Sequence, residues 1–262
     1  MNAVPDDAPA PVPAATILIV RDAPAGLQVF MVKRHHEVDF VAGALVFPGG
    51  KAAPGDYDIE GLARRRPGAG DVLRAFEACA IREAFEESGI LFARDGRGAD
   101  VDGARLAALS PWRARLESGE AALADMLRAE ELMLACDRLV PFAHWVTPRG
   151  MPRRFDTHFF LAAAPDGHTG RHDGRESVDS TWIRPGDAIA DPNRWKVVFP
   201  TRLNLMKLAK SATAADALAA AAAAPPLTVE PWLETGADGE RIVRIRDDAG
   251  YEDTRAALRD AT

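Results

Sequence analysis

The stretch Ile81–Ile90, IREAFEESGI, narrows what this 262-residue chain can become more than any other segment. Glu83, Glu86 and Glu87 stand at positions i, i+3 and i+4, so on a helix they project from one narrow face. Like charges at that spacing repel each other weakly. The pattern around them is helical. Val72, Leu73, Phe76, Ala80 and Phe85 recur at helical spacing, Asp71 is placed to cap the start, and Gly89 is placed to close the end. A charge run of this kind is commonly just a solvated face. The alternative is a hard divalent cation: Mg²⁺ takes oxygen ligands from a few carboxylates, waters and substrate phosphates.

The segments on either side supply strands. ATILIVRD and LQVFMVKRH read as a hairpin around Pro24-Ala25-Gly26, and VAGALVFPGG as a third strand running into Gly49-Gly50. Paired glycines after a strand let the backbone approach a ligand or another segment without interference from a Cβ. Residues 51–71 read as an extended loop, and residues 103–135 as helical, interrupted at Pro111 and near Gly119. LVPFAHWVT, RRFDTHFFLAAA and VDSTWI read as strands, and a helix is expected from about Thr201 to Ala224. LTVEPWLET and ERIVRIR suggest a C-terminal hairpin. Strands and helices mixed at irregular intervals point to one α/β or α+β domain over residues 14–224. A disordered Pro/Ala-rich stretch, 1–13, precedes it, and a hairpin and tail, 225–262, follow.

With 47% hydrophobic and 27% charged residues the chain can bury a sizeable core. A net charge of −7 argues against a general binder of nucleic acid or anionic membranes. No apolar run reaches the roughly 20 residues needed to cross a bilayer. The first residues carry Asp6 and Asp7 and no basic cluster, which does not read as a signal peptide. Cys79 and Cys136 lie far apart and fit no zinc or redox spacing, and Cys79, within a helical apolar pattern, reads as a reduced core thiol. The expected setting is the cytoplasm.

Taken together, FPGGK (47–51) and REAFEESG (82–89) resemble the box of the Nudix hydrolases, G-x5-E-x7-R-E-U-x-E-E-x-G-U with U apolar. The second half matches from Arg82 to Ile90. In the first half, counting from Gly50 reaches Asp56, a shorter acid than the family's Glu, and 25 residues separate Asp56 from Arg82. A frame starting at Gly68 keeps the spacing but lands on Arg74. A box split by an insertion, here 57–74, resembles the branch that contains the peroxisomal acyl-CoA diphosphatases and bacterial relatives. Arg34, Gly43 and FPGG also keep part of a motif common in CoA-cleaving Nudix proteins, although His35 and Asp39 depart from it.

The resemblance implies a mixed β-sheet sandwiched between helices. It also implies Mg²⁺ or Mn²⁺ held by Glu83, Glu86 and Glu87, and a small nucleoside-diphosphate-linked substrate. Glu83 is also a candidate base, as is Glu176 in the Gly-rich loop before VDSTWI. Arg82 is expected to orient the cluster through pairing with the first acid of the box. Arg34, Gly49, Gly50, Lys51 and Arg154 are candidate substrate contacts. Strand alternation puts Arg154, Asp156 and His158 on one face and Phe155, Thr157 and Phe159 on the other. The polar face is expected at the cleft or in solvent, and the apolar face in the core. His168 and His172 sit in a Gly-rich loop and read as unrelated to zinc. The insertion, with its Arg64–Arg66 run, reads as a mobile cationic loop that could steady an anionic substrate. The expected reaction is hydrolysis of CoA or acyl-CoA to 3′,5′-ADP and (acyl-)4′-phosphopantetheine. A broader ADP-ribose or NADH diphosphatase and a non-catalytic nucleotide sensor are the alternatives. No nucleic-acid or membrane partner is expected, and a homodimer is left open.

Overall fold

In the computed structural model, residues 8–35, 43–68, 70–174, 177–236 and 239–258 are described. The first half of the chain runs β1 (Val12–Ala23), β2 (Gly26–Arg34), β3 (Leu45–Val46), β4 (Gly49–Lys51), α1 (Arg74–Ser88) and β5 (Ala93–Asp95). Three short helices follow, α2 (Gly103–Ala108), α3 (Ser110–Glu117) and α4 (Leu123–Ala129), and then β6 (Leu132–Leu134), β7 (Val140–Val146), β8 (Phe155–Ala163) and β9 (Ser177–Ile183). The chain continues through α5 (Pro185–Ala190), α6 (Phe199–Leu208) and α7 (Ala214–Ala223) to β10 (Thr228–Val229), β11 (Trp232–Thr235), β12 (Arg241–Arg244) and β13 (Arg255–Ala257).

β1 is the organising strand. Its TILIV run is apolar on both faces, and both are covered. Ile17 and Ile19 face a core shared with α1, whereas Leu18 and Val20 face a second core shared with α6 and α7. The result is a mixed eight-stranded sheet between helical layers. One edge of β1 pairs in parallel with β8 along its length, from Val12↔Phe155 to Val20↔Ala163. The other edge forks. Its C-terminal half forms the hairpin with β2, while Ala14, Ala15 and Thr16 pair with Lys51, Gly50 and Gly49 of β4. The fork brings the Pro-Gly-Gly segment into the sheet beside α1.

α1 carries Ala75, Ala78, Ala80 and Ala84, all buried, so its backbone can lie close to the sheet. It ends at Gly89, whose φ of 68° is left-handed and whose amide bonds the Phe85 carbonyl. Asp71 does not cap α1 directly. It sits in a 3₁₀ turn over Asp71–Leu73, where its carboxylate accepts from Arg74 and Arg65.

Three stretches differ from the sequence expectation. The Thr201–Ala224 helix is two helices, because the Thr213 hydroxyl accepts from the Asp216 amide and starts α7 anew. The 103–135 segment ends as strand β6 rather than helix, after Glu131 turns left-handed at φ 54°. The C-terminal hairpin gains a third strand, β13, in register Val243↔Ala256.

The insertion is packed against the protein. Ile59 is buried, and Leu62 and Ala63 lie against the core. Leu134 donates to the Leu62 carbonyl and Arg64 to the Leu134 carbonyl, both at 2.8 Å. Arg65 pairs with the fully buried Glu77 at 2.9 Å, and Arg64 lies 3.6 Å from Asp137. Arg64 and Arg65 are thus tied to the 3₁₀ turn Cys136–Arg138 and to α1's first turn, and no member of the arginine run lines the acidic cleft described below.

Two outcomes follow from this packing. The amides of Arg64 and Leu134 should exchange slowly with solvent deuterium in the free protein. Arg65→Ala should lower unfolding free energy by about 2–4 kcal/mol, because it strands the buried Glu77 carboxylate. Urea denaturation reads the second effect; a change below about 0.5 kcal/mol would contradict the packing.

Candidate active site

The carboxylate helix and the glycine strand meet at close quarters. A Cβ built on Gly50 would lie 2.4 Å from Glu83 Oε1, and one on Gly49 would lie 2.5 Å from the Ala15 carbonyl. No side chain fits at either position without displacement. The Gly49 amide donates to Glu87 Oε2 at 3.0 Å, which fixes the third carboxylate against β4.

Arg82 stands at the centre. Its Nε and Nη2 reach both oxygens of Asp56 at 2.9 and 3.0 Å, a two-pronged pair. Nη2 also donates to the Lys51 carbonyl at 2.9 Å. Nη1 lies between two of the glutamates, 2.9 Å from Glu83 Oε1 and 3.1 Å from Glu86 Oε2. Asp56 is fully buried, held by a 3₁₀ turn over Pro54–Asp56 in which its Oδ2 also accepts from the Ala53 amide at 2.8 Å. Asp56 therefore reaches Arg82 across the insertion, and the shorter acid suffices because that turn carries its carboxylate inward.

Burial alone would push the Arg82 guanidinium down, but Asp56, Glu83 and Glu86 outweigh it and hold it above its ordinary value. For Glu86 burial wins. It outweighs the attraction of Arg82, and with the like charge of Glu83 it pushes the carboxyl up to about 7. Glu86 Oε1 is buried and has no hydrogen-bond partner among the described residues. An orphaned carboxylate oxygen, two neighbouring glutamates and an arginine nitrogen standing where positive charge is needed form a donor set that suits a hard divalent ion. Glu83, Glu86 and Glu87 are the residues that would hold it.

These groups line a cleft of about 610 Å³ together with Arg34 and Lys51, and Glu117, Ser118 and Asp173 complete its wall. Arg34 and Gly49 also line a second cavity, of about 530 Å³, whose walls include Phe47, Trp145, Phe155, Phe159 and Phe199. The two cavities therefore adjoin. Arg34 Nε is buried without a hydrogen-bond partner among the described residues.

Not every candidate joins the site. Arg154 is buried elsewhere, donating to the Thr147 and Pro9 carbonyls and to Glu230, and it lines neither cavity. Glu176 and Asp39 lie outside the described residues. The faces of β8 divide as alternation predicts: Phe155, Thr157 and Phe159 share the side of the apolar cavity, where Phe159 is also part of the second core, while His158 packs on Phe76 of α1 and does not line the acidic cleft. His168 and His172 go to separate partners, the Val101 carbonyl and Ser180.

Three contributors carry no signal in the sequence. Arg113 of α3 donates twice to the Glu86 carbonyl, at 2.8 and 3.2 Å, bracing the end of α1. Asp173 and Lys196 reach the two cavities from loops. None sits in a motif, and each arrives only through tertiary packing.

The family model of the NUDT19 Nudix domain matches residues 63–202. The chain belongs to the Nudix hydrolase family. A solved Nudix hydrolase from Alicyclobacillus acidocaldarius is 30% identical and superposes with a TM-score of 0.74, over 82% of this chain and 99% of that one. Among curated proteins, the acyl-coenzyme A diphosphatase NUDT19 of Xenopus laevis is 25% identical over 215 residues, 66% of this chain and 57% of that protein. The Gallus gallus protein of the same name is 28% identical over 213 residues, 63% of this chain and 56% of that one. The chain thus spans little more than half the length of these relatives.

The raised Glu86 carboxyl has a defined signature. Its folded value lies above its ordinary value of 4.5, so its contribution is full below about 4.5 and is lost as pH rises through about 7. In metal-free protein, wild type should lose stability relative to Glu86→Gln across that window, by on the order of 2–3 kcal/mol. Parallel stability curves from pH 4.5 to 7.5 would show that Glu86 does not carry this strain.

Proposed function

We propose that this chain hydrolyses the diphosphate of CoA or acyl-CoA, giving 3′,5′-ADP and (acyl-)4′-phosphopantetheine. The observation that supports this reading best is the adjoining pair of cavities. One is lined by carboxylates and cations, the other by apolar and aromatic side chains, and Arg34 and Gly49 stand at their junction. A substrate with a diphosphate at one point and a long apolar arm at another matches that division. The names of the relatives, acyl-coenzyme A diphosphatases, agree with it.

In this reading Glu83, Glu86 and Glu87 hold Mg²⁺ or Mn²⁺, which when bound neutralises diphosphate oxygens and makes water more acidic. Water then forms a new bond to one phosphorus, the bridging P–O bond breaks, and a carboxylate takes the proton. Glu83 and Glu176 are the candidates for that base. Arg82 is a positioning residue. Pinned by Asp56, it keeps Glu83 and Glu86 in place. Arg34 and Lys51 supply positive charge for phosphate, and the planar fork of arginine suits a phosphate two-pronged. A cytoplasmic setting belongs to the proposal, since Cys79 and Cys136 are both free thiols. Among the described residues no helix is long and apolar enough to cross a membrane. A broader ADP-linked diphosphatase is the second reading. It is favoured by the aromatic walls, which can stack a nucleobase as well as bury an acyl chain.

The test is a panel of CoA, hexanoyl-CoA, dodecanoyl-CoA, dephospho-CoA and ADP-ribose with Mg²⁺ or Mn²⁺, with products identified by mass. Acyl-CoA should exceed CoA in kcat/KM. Dephospho-CoA should fall below CoA by roughly 10- to 100-fold, as loss of one charge-assisted contact implies. Glu86→Gln and Glu87→Gln should each abolish most turnover at limiting metal while the fold persists. Equal turnover of ADP-ribose and acyl-CoA would favour the second reading, and none with any diphosphate would overturn both.

A further inference from the structure

On the far side of the strand that walls the apolar cavity lies a second cluster of metal-binding side chains. β7 and β8 run antiparallel with His144 directly opposite His158, and Asp156 lies two residues from His158 on the same face. The ligand atoms of His144, Asp156 and His158 all lie within 4.8 Å of one another. None of the three lines either cavity.

We infer that His144, Asp156 and His158 form a second divalent-cation site, for a borderline ion such as Zn²⁺, separate from the carboxylate cleft.

The chemistry of the donors sets the ion class. Two imidazole nitrogens and one carboxylate oxygen suit Zn²⁺, Co²⁺ or Ni²⁺, whereas Mg²⁺ favours an all-oxygen shell. Three protein ligands leave a fourth tetrahedral position to water. The surrounding hydrogen bonds already orient the ligands. Thr228 Oγ1 of β10 lies 2.8 Å from His144 Nδ1, which leaves Nε2 turned to Asp156, where it forms a short hydrogen bond. In metal sites, a hydrogen-bond partner on the nitrogen that does not ligate fixes the orientation of the ring.

His158 is the informative member. It is half-buried, and none of the hydrogen bonds seen among the described residues involves its ring. Its ring stacks on His144 at 4.0 Å and packs on Phe76 at 4.3 Å. Burial, and then the neighbouring His144, push its imidazole down to about 4. Tetrahedral bonds of about 2.0–2.1 Å need ligand atoms roughly 3.4 Å apart. Ligation of one ion by both imidazoles requires the rings to rotate out of their present stack, in which the planes lie 12° apart.

The opposing possibility is a His144–Asp156 hydrogen bond with His158 as aromatic packing only. To separate them, full-length Glu86→Gln/Glu87→Gln protein, in which the carboxylate cleft is disabled, is titrated with ZnCl₂ by calorimetry and with CoCl₂ by visible absorption. The inference predicts one bound Zn²⁺ per chain, an intense tetrahedral Co²⁺ spectrum, and a raised Tm with Zn²⁺. Adding Asp156→Asn or His158→Gln should weaken Zn²⁺ binding by more than about tenfold, and Thr228→Val by up to about tenfold. Asp156 is partly exposed, so its substitution tests the site even if His158→Gln fails to fold. No Zn²⁺ binding, or binding unchanged by Asp156→Asn, would overturn the inference. Because the readout is metal binding, neither result depends on which diphosphate the chain cleaves.

Discussion

The pairing of Arg82 with Asp56 is the interaction on which the rest of the site depends. Both Asp56 oxygens are committed, and the residue has no solvent exposure. A buried carboxylate left without its cation is strongly destabilising, so the loop over 51–56 and helix α1 are tied to one geometry. That geometry seats Gly49 and Gly50 against Glu87 and Glu83. It also leaves one arginine nitrogen between Glu83 and Glu86, which relieves the repulsion that three carboxylates on one helix face would otherwise produce.

The sheet gives this pairing its setting. Because β1 forks between β2 and β4, the Pro-Gly-Gly segment enters the sheet at its middle, with α1 on one face. The same strand layer separates the two cores, so Phe155, Thr157 and Phe159 can wall a cavity while the neighbouring residues Asp156 and His158 face the α1 side. One sheet thereby divides the charged cleft from the apolar cavity, with Arg34 and Gly49 at the boundary.

The local elements of this arrangement were legible in the sequence. Helical spacing of Phe76, Ala80 and Phe85, the Gly89 terminator and the Glu triplet identify α1 as the acidic helix, and apolar runs identify β1, β2, β7 and β8. The Asp56–Arg82 contact was visible only as a count of residues across an insertion, because spacing says nothing about how a loop folds back. The docking of that insertion was hidden for a similar reason. Arginines in a Gly/Pro-rich stretch look solvated until the buried Glu77 supplies a partner for Arg65 and the edge of β6 one for the Arg64 backbone. Arg154 illustrates the reverse: strand alternation gave its face correctly as polar, but its partners, Glu230 and the Pro9 carbonyl, come from distant segments. Arg113, Asp173 and Lys196 carry no local signature at all. Alternation divides the faces of β8 as the structure has them, but it does not show that Phe155 and Thr157 wall a cavity, because a cavity wall is built from the same side chains as a core.

The most direct test of the central pairing is a double-mutant cycle on metal-free protein. Asp56→Ala, Arg82→Ala and the double variant are unfolded in urea, and the coupling free energy is taken from the four stabilities. A buried two-pronged ion pair that locks the loop to the helix predicts a coupling of at least about 2 kcal/mol, with the double variant more stable than the sum of the single losses implies. A coupling below about 0.5 kcal/mol would mean that the two residues act independently, and that something else holds the glycine strand against the carboxylates.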